Sequence, residues 1–215
     1  MKSKNINEIL SESFDITKDN FFSLIVNSLI CNVLVFFAVV SVVGILLIPN
    51  IYTGFCISCL NLKRHKQMQI GQFLSDGFID KRWLNFFLLQ VSIALVQIII
   101  GGLVIGLLIL LFGGFDSNEM LVVTPIFLIF IYIITVTALS VFFLTDKNFT
   151  VFNSILESRK LVHKFGFLKL AFFIIIFSAI QILLSFVSFF GMLLNIFLFP
   201  LILLSYVIIY DSYVS

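Results

Sequence analysis

No aspartate, glutamate, lysine, arginine or histidine occurs in Asn20–Leu62, Trp83–Phe112, Leu121–Leu144 or Leu170–Tyr210. Charged residues make up 11% of the chain, against roughly a quarter in water-soluble domains, and 61% of residues are hydrophobic. A water-soluble fold is excluded on those grounds. Proton relays, ion-coupled carriers and intramembrane proteases place ionisable groups at depth despite the cost, and these stretches offer none. Cysteine is scarce: Cys31, Cys56 and Cys59 all lie in apolar stretches, which does not describe a secreted disulfide framework. The net charge of +2, with no acidic or basic tail, argues against a nucleic-acid partner.

What is present is apolar bulk, including 28 Phe, which a lipid-facing surface accepts and a water-facing surface would have to hide. Asn20–Leu62 would measure about 65 Å as one helix, roughly twice the hydrocarbon thickness, so it is expected to turn back near Ser41–Gly44. Leu170–Tyr210 is again too long for one crossing and is expected to turn near Ser188–Gly191. Trp83–Phe112 and Leu121–Leu144 supply two further spans, joined by an acidic connection with Asp116 and Glu119. The polar first twenty residues precede an apolar stretch longer than a signal-peptide core and without a small-residue cleavage pattern, so no segment is expected to be removed.

The expected fold is therefore all-α, a single membrane domain over 1–215 with six transmembrane helices in three hairpins (1–62, 63–144 and 145–215). Every Lys and Arg falls in the N-terminal tail, in Lys63–Arg82 or in Lys147–Lys169, which six spans place on one side. The positive-inside bias assigns that side, and both termini, to the cytoplasm of a bacterial inner membrane.

The three prolines, Pro49, Pro125 and Pro200, lie 76 and 75 residues apart, each in the returning helix of its hairpin. A short cytoplasmic amphipathic helix is expected before each hairpin, with apolar faces Ile6, Ile9, Leu10 and Phe14; Ile70, Phe73, Leu74 and Phe78; and Val151, Phe152, Ile155, Leu156 and Val162. Leu10–Phe14 and Leu74–Phe78 share a Leu-Ser-acid-x-Phe pattern. In the third segment Ser154 and Glu157 stand at capping-box spacing, and Arg159, Lys160 and Lys164 offer charge to anionic headgroups, so membrane lipids are the expected partner.

Cys56-x-x-Cys59 has the spacing of a metal or redox pair, but it lies in a helix and has at most His65 beside it; buried apolar thiols are the better reading, and neither a metal nor a cofactor is expected. Lys63-Arg64-His65-Lys66 follows a span directly and is read as a topology anchor. His163, near Arg159, is weak evidence for a pH switch.

The polar groups within the spans are amides and hydroxyls: Asn27, Asn32, Gln90, Gln97, Thr124, Thr135, Thr137, Gln181 and Asn195. Helix-to-helix hydrogen bonding is their usual use, and a narrow polar path built on Asn27, Gln97, Gln181 and Asn195 is the alternative. Gly102 and Gly106, reinforced by Gly101, make a packing step for a neighbouring helix, expected within the chain, with a homodimer as the alternative.

Asp146-Lys147, Ser154–Lys164 and Phe165–Ala171, with Gly191–Pro200–Tyr206 in the last hairpin, resemble the corresponding stretches of a large group of bacterial six-helix membrane proteins. That group is similar to the membrane domain attached to some glycerophosphoryl diester phosphodiesterases. In those enzymes the phosphodiester chemistry belongs to a separate soluble barrel, so the resemblance implies architecture and no enzymatic activity.

The function expected is a non-enzymatic accessory or organising component of the membrane, with another membrane protein as a possible partner. The alternative is a transporter or exporter component, including self-protection against a membrane-active peptide. A third reading, a lipid-modifying site at the interface from Asp76, Asp80, Asp146 and His163, is outweighed by the capping and anchoring roles open to those residues.

Overall fold

The computed structural model describes residues 4–41, 44–65, 67–78, 82–112, 119–186 and 188–214, and every regular element among them is a helix. In chain order these are α1 (Ile6–Asp19), α2 (Phe21–Val40), a 3-10 turn (Gly44–Leu47), α3 (Ile48–His65), α4 (Gln72–Phe78), α5 (Arg82–Phe112), α6 (Glu119–Thr137), α7 (Ser140–Asp146), α8 (Val151–Phe165), α9 (Phe167–Ser185) and α10 (Ser188–Val214). The expected connection through Asp116 lies outside the described residues.

Five stretches are long and apolar enough to cross a bilayer: Phe21–Val40, Trp83–Leu103, Phe127–Asp146, Phe167–Leu184 and Leu194–Val214. The chain is a multi-pass membrane protein. Buried positions rise from 17% in Trp83–Leu103 to 56% in Leu194–Val214, so α5 is peripheral and α10 central.

The helix α3 is not among the five, and its position explains its composition. Ten of its 18 residues are buried, among them Asn50, Thr53 and Ser58, and α2, α4, α5, α7 and α10 all pack on it. A helix surrounded by protein does not need the apolar surface that lipid demands.

Backbones meet where α3 crosses α4. A Cβ on Gly54 would overlap the carbonyl oxygen of Phe73, and one on Gly77 would overlap that of Asn50. Only glycine on both sides permits this approach, which seats the Phe73 ring edge-on to Phe55 at 5.8 Å between centroids. At Gly102 and Gly106, expected to pack a neighbouring helix, a Cβ would meet no described neighbour within 4 Å, whereas Gly101 faces α6, its Cβ position 3.3 Å from Phe130.

The two longer polar helices turn most of the expected apolar face to the core, with Ile6, Ile9 and Leu10 on α1 and Val151, Ile155 and Val162 on α8, but their most buried positions include hydroxyls and the face is not buried throughout. On α1 the buried positions are Ile9, Ser13 and Thr17, against α10, while Phe14 is 60% exposed. On α8 they are Ser154, Ser158, Leu161 and Val162, while Phe152 is 68% exposed. Hydroxyls are buried at little cost here because each bonds a backbone carbonyl: Ser13 to Leu10, Thr17 to Ser13, Ser154 to Val151. Their small size then allows close helix approach, as between the Ser205 and Ser13 hydroxyls, 3.2 Å apart. The start of α8 also lies earlier than the Ser154–Glu157 spacing indicates; Thr150 caps it, accepting from the Asn153 N–H, and Asn5 with Glu8 forms the capping box of α1.

Phe127–Asp146 is interrupted between α6 and α7, where two backbone groups lose their helical partners. Ser158 of α8 supplies both, donating to the Val136 carbonyl at 2.6 Å and accepting from the Leu139 N–H at 3.3 Å. A side chain inserted into the helical ladder in this way fixes a break within a span.

Gly54→Ala is expected to destabilise the purified protein by about 2–3 kcal/mol through overpacking, whereas Gly102→Ala leaves the thermal midpoint in detergent unchanged or raised. Ser158→Ala, which strands the Val136 carbonyl and Leu139 N–H, is expected to cost about 1–3 kcal/mol; a midpoint equal to that of the unmodified protein would mean the break holds without the hydroxyl.

Candidate functional site

A cavity of about 580 Å³ lies among α2, α3, α5, the α6–α7 break and α10. Its polar lining is Asn32 from α2, Tyr52 from α3, Gln90 and Gln97 from α5, and Thr137 and Ser140 at the break, with Phe199 from α10 on the apolar side. Counting at about 1.5 Å per residue from Arg82 at the start of α5 sets Gln90 about 12 Å and Gln97 about 22 Å into the bundle. The same count from Asp146 sets Thr137 about 14 Å deep. In a core about 30 Å thick these groups bracket the midplane.

Several of them already have partners. The Asn32 amide donates to the Ser28 carbonyl at 2.8 Å, the Thr137 hydroxyl to Ile133 at 2.8 Å and the Ser140 hydroxyl to Thr137 at 2.6 Å. Gln90 and Gln97, two turns apart on one face of α5, take no hydrogen-bond partner among the described residues. Among the described residues no Asp, Glu, Lys, Arg or His side chain lines the cavity.

The four amides expected to form a path are not brought together there. Of them only Gln97 lines the cavity. Asn27 is fully buried and clamps the turn before α4: its amide donates to the carbonyls of Ser23 and Gln69, and its oxygen accepts from Gly71 N–H at 2.7 Å. Gln181 on α9 and Asn195 on α10 are half-buried away from the cavity, and Asn195 Oδ1 has no donor. Asn50 was not singled out by the sequence, yet both of its amide atoms are buried without a partner beside the α3–α4 crossing.

Ionic groups gather at one end of the bundle. Arg64 on α3 holds Asp146 with two bonds, 2.6 and 3.1 Å, and bonds Asp211 through Nε at 2.9 Å, while the Tyr210 hydroxyl donates to Asp146 at 2.7 Å. This ties the ends of α3, α7 and α10 together. Glu12 pairs with both Lys4 and Lys63 and so fastens α1 to α3. Lys63 and Arg64 thus act as internal cross-links, a use the anchor reading missed. The signal was available: Lys63 with Arg64, Asp146 and Asp211 are the first charges to follow their uncharged runs.

Of the residues of the interfacial lipid-modifying reading, the three described ones each have a different partner. Asp146 is held by Arg64, Asp76 by Ser58 at 2.9 Å, and His163 stacks near Phe167; Asp80 lies outside the described residues. Cys56 and Cys59 are fully buried free thiols on α3. Among the described residues no three His, Cys, Asp or Glu side chains gather as they would around a metal ion.

Burial pushes the Glu12 carboxyl upward, but the contacts with Lys4 and Lys63 outweigh it and hold the group below the usual range. Burial also pushes Asp76 up, and there the hydrogen bonds from Ser58 and Gln72 offset it only in part. A carboxyl raised in the folded state disfavours folding above its folded pKa, and the penalty is relieved as pH falls toward the unfolded value of about 3.9. Asp76→Asn keeps an oxygen for Ser58, so it is expected to raise the thermal midpoint at pH 7.5, the gain shrinking as pH falls toward about 4. A lower midpoint at pH 7.5 would show that the α3–α4 contact needs the charge.

No family model matches the chain, and no curated protein and no solved structure matches it, so the functional reading rests on its own residues.

Proposed function

We propose that the chain is a six-span protein of the bacterial inner membrane, with both termini in the cytoplasm, that works by binding and organising within the bilayer as an accessory component of another membrane assembly. The observation that carries this is the division of its polar groups. Those at depth are amides and hydroxyls, mostly spent on backbone carbonyls, and the ionic groups at the bundle end neutralise one another. Neither set leaves a poised acid, base or nucleophile. In this reading α3 is the sixth span: its 18 residues measure about 27 Å, close to the hydrocarbon thickness, and its polar content is tolerated because it is enclosed. The resemblance to membrane domains attached to phosphodiesterases fits a helical unit whose partner does the chemistry.

Lipid is the first partner. Phe14, Phe152 and Leu168 are exposed near the basic end of the bundle, with Arg159 exposed on α8, an arrangement suited to an anionic headgroup layer.

One observation favours a second reading, a transporter or exporter component, including protection against a membrane-active peptide. The midplane cavity with Gln90 and Gln97 lies where transporters hold their cargo.

Topology is tested with single reporter thiols at Ser3, Gln69, Ser117 and Asn153 in a variant lacking the three native cysteines; only Ser117 is expected to label from outside. Purified protein in liposomes is expected to turn over no phospholipid headgroup, and measured turnover would sink the accessory reading. Solute or peptide flux abolished by Gln90→Leu with Gln97→Leu would establish the second reading over the first.

A further inference from the structure

The cavity's lining defines the class of molecule it would hold. Its flanking helices α2 and α5 both lean on α3, yet neither packs along the other, so the space between Asn32 and Val35 on one side and Ala94 and Gln97 on the other opens sideways. The rims of that opening are lipid-facing: Phe36 and Phe37 on α2, and Leu95 and Ile98 on α5, are exposed. A ligand reaching this mouth comes from the bilayer rather than from water.

Charge narrows the class further. Among the described residues no Asp, Glu, Lys, Arg or His side chain lines the cavity, so a phosphate or ammonium headgroup drawn to the midplane would find no counter-ion among them. Hydrogen bonding narrows it again. The Thr137 and Ser140 hydroxyls and one Asn32 N–H are committed to backbone carbonyls, whereas the Gln90 and Gln97 amides, each with two N–H donors and one carbonyl oxygen, have no partner among the described residues. On that pair N–H donors outnumber carbonyl acceptors two to one, which suits a ligand that carries carbonyl acceptors. At about 580 Å³ the space suits a ring or a glycerol-ester head, with long chains left outside.

We propose that this cavity binds an uncharged, carbonyl-bearing lipid that enters between α2 and α5, places its carbonyl on the Gln90 and Gln97 amides and leaves its chain in the bilayer. The two sources of that chemistry are a diacylglycerol and an isoprenoid quinone. The inference builds on the cavity that motivates the second reading above, but it requires binding only and not transport.

The test uses the full chain in nanodiscs of phosphatidylethanolamine and phosphatidylglycerol, with photoactivatable diacylglycerol, quinone and phosphatidylethanolamine probes. One neutral probe is expected to label α2 or α5 at the cavity. Its unlabelled counterpart should compete and added phospholipid should not. Gln90→Leu with Gln97→Leu should reduce the labelling at least ten-fold while the thermal midpoint without probe holds, and Ala94→Trp, which fills the mouth between the two amides and removes neither, should reduce it as well. Diacylglycerol labelling identifies a glyceride site and quinone labelling a quinone site. Equal labelling by the phospholipid probe, labelling that survives both variants, or no cavity labelling by either neutral probe would overturn the inference. Flux without neutral-lipid labelling would overturn it while sparing the transport reading, and labelling without flux would support it and leave the accessory reading intact.

Discussion

Lipid gives two helices no hydrophobic reason to associate, because hydrocarbon solvates an apolar side chain as well as a neighbouring helix does. What holds this bundle together must therefore be close approach and hydrogen bonding. The crossing of α3 and α4 shows the first, with Gly54 and Gly77 bringing main chain against main chain. The second is shown by Ser28, whose hydroxyl reaches the Ile196 carbonyl on α10 at 2.8 Å, and by Ser158, which completes the backbone at the α6–α7 break. Both devices depend on small side chains; the Gly54–Gly77 crossing centres on α3 and the Ser28 bond on α10.

That constraint also explains which parts of the fold were legible in the sequence. Charge-free runs marked the apolar stretches, and α2 ends at Val40 beside the expected Ser41–Gly44 turn, whereas Ser188–Gly191, expected as a turn, is the helical start of α10, with α9 ending at Ser185. The buried faces of α1 and α8 were legible in part: Ile6, Ile9, Leu10, Val151, Ile155 and Val162 pack on the core as the amphipathic rule expects, but that rule assumes water outside and so misplaces Phe14 and Phe152 and overlooks the buried hydroxyls. On α1 and α8 the strips Ser13–Thr17 and Ser154–Ser158 face protein, while Phe14 and Phe152 face outward. Hydropathy likewise understates α3, whose burial lets it carry Asn50, Thr53 and Ser58. The break at Ala138–Leu139 has no sequence mark of its own, since Ser158, the residue that sustains it, lies 19 positions from Leu139.

The candidate site was legible only in part. Gln90, Gln97, Asn32 and Thr137 stood among the polar groups within the spans, and the cavity collects all four. Asn27 looked the same in composition and proves to be a clamp, because its position two turns into α2 faces the Gln69–Gly71 turn rather than the interior space. Spacing along one helix cannot distinguish these cases; which helix lies opposite decides.

The ionic cluster and the cavity constrain each other. Tyr52, on the cavity wall, is 12 residues from Arg64 along α3, about 18 Å, a distance over which an uncompensated charge would still act across a low-dielectric bundle. Arg64 is compensated: Asp146 grips it bidentately and Asp211 takes its Nε, with Lys147 3.9 Å from Asp146 to offset the second carboxylate. The Arg64, Asp146, Asp211 and Lys147 charges sum to zero, so this cluster itself adds little net field at the cavity. The polar groups of the cavity wall among the described residues are neutral, and the amides of Gln90 and Gln97 are those without a partner. Breaking the cluster would loosen α3, α7 and α10 together, and since all three line the cavity, the ion pairs that keep charge away from the site also hold its walls in place.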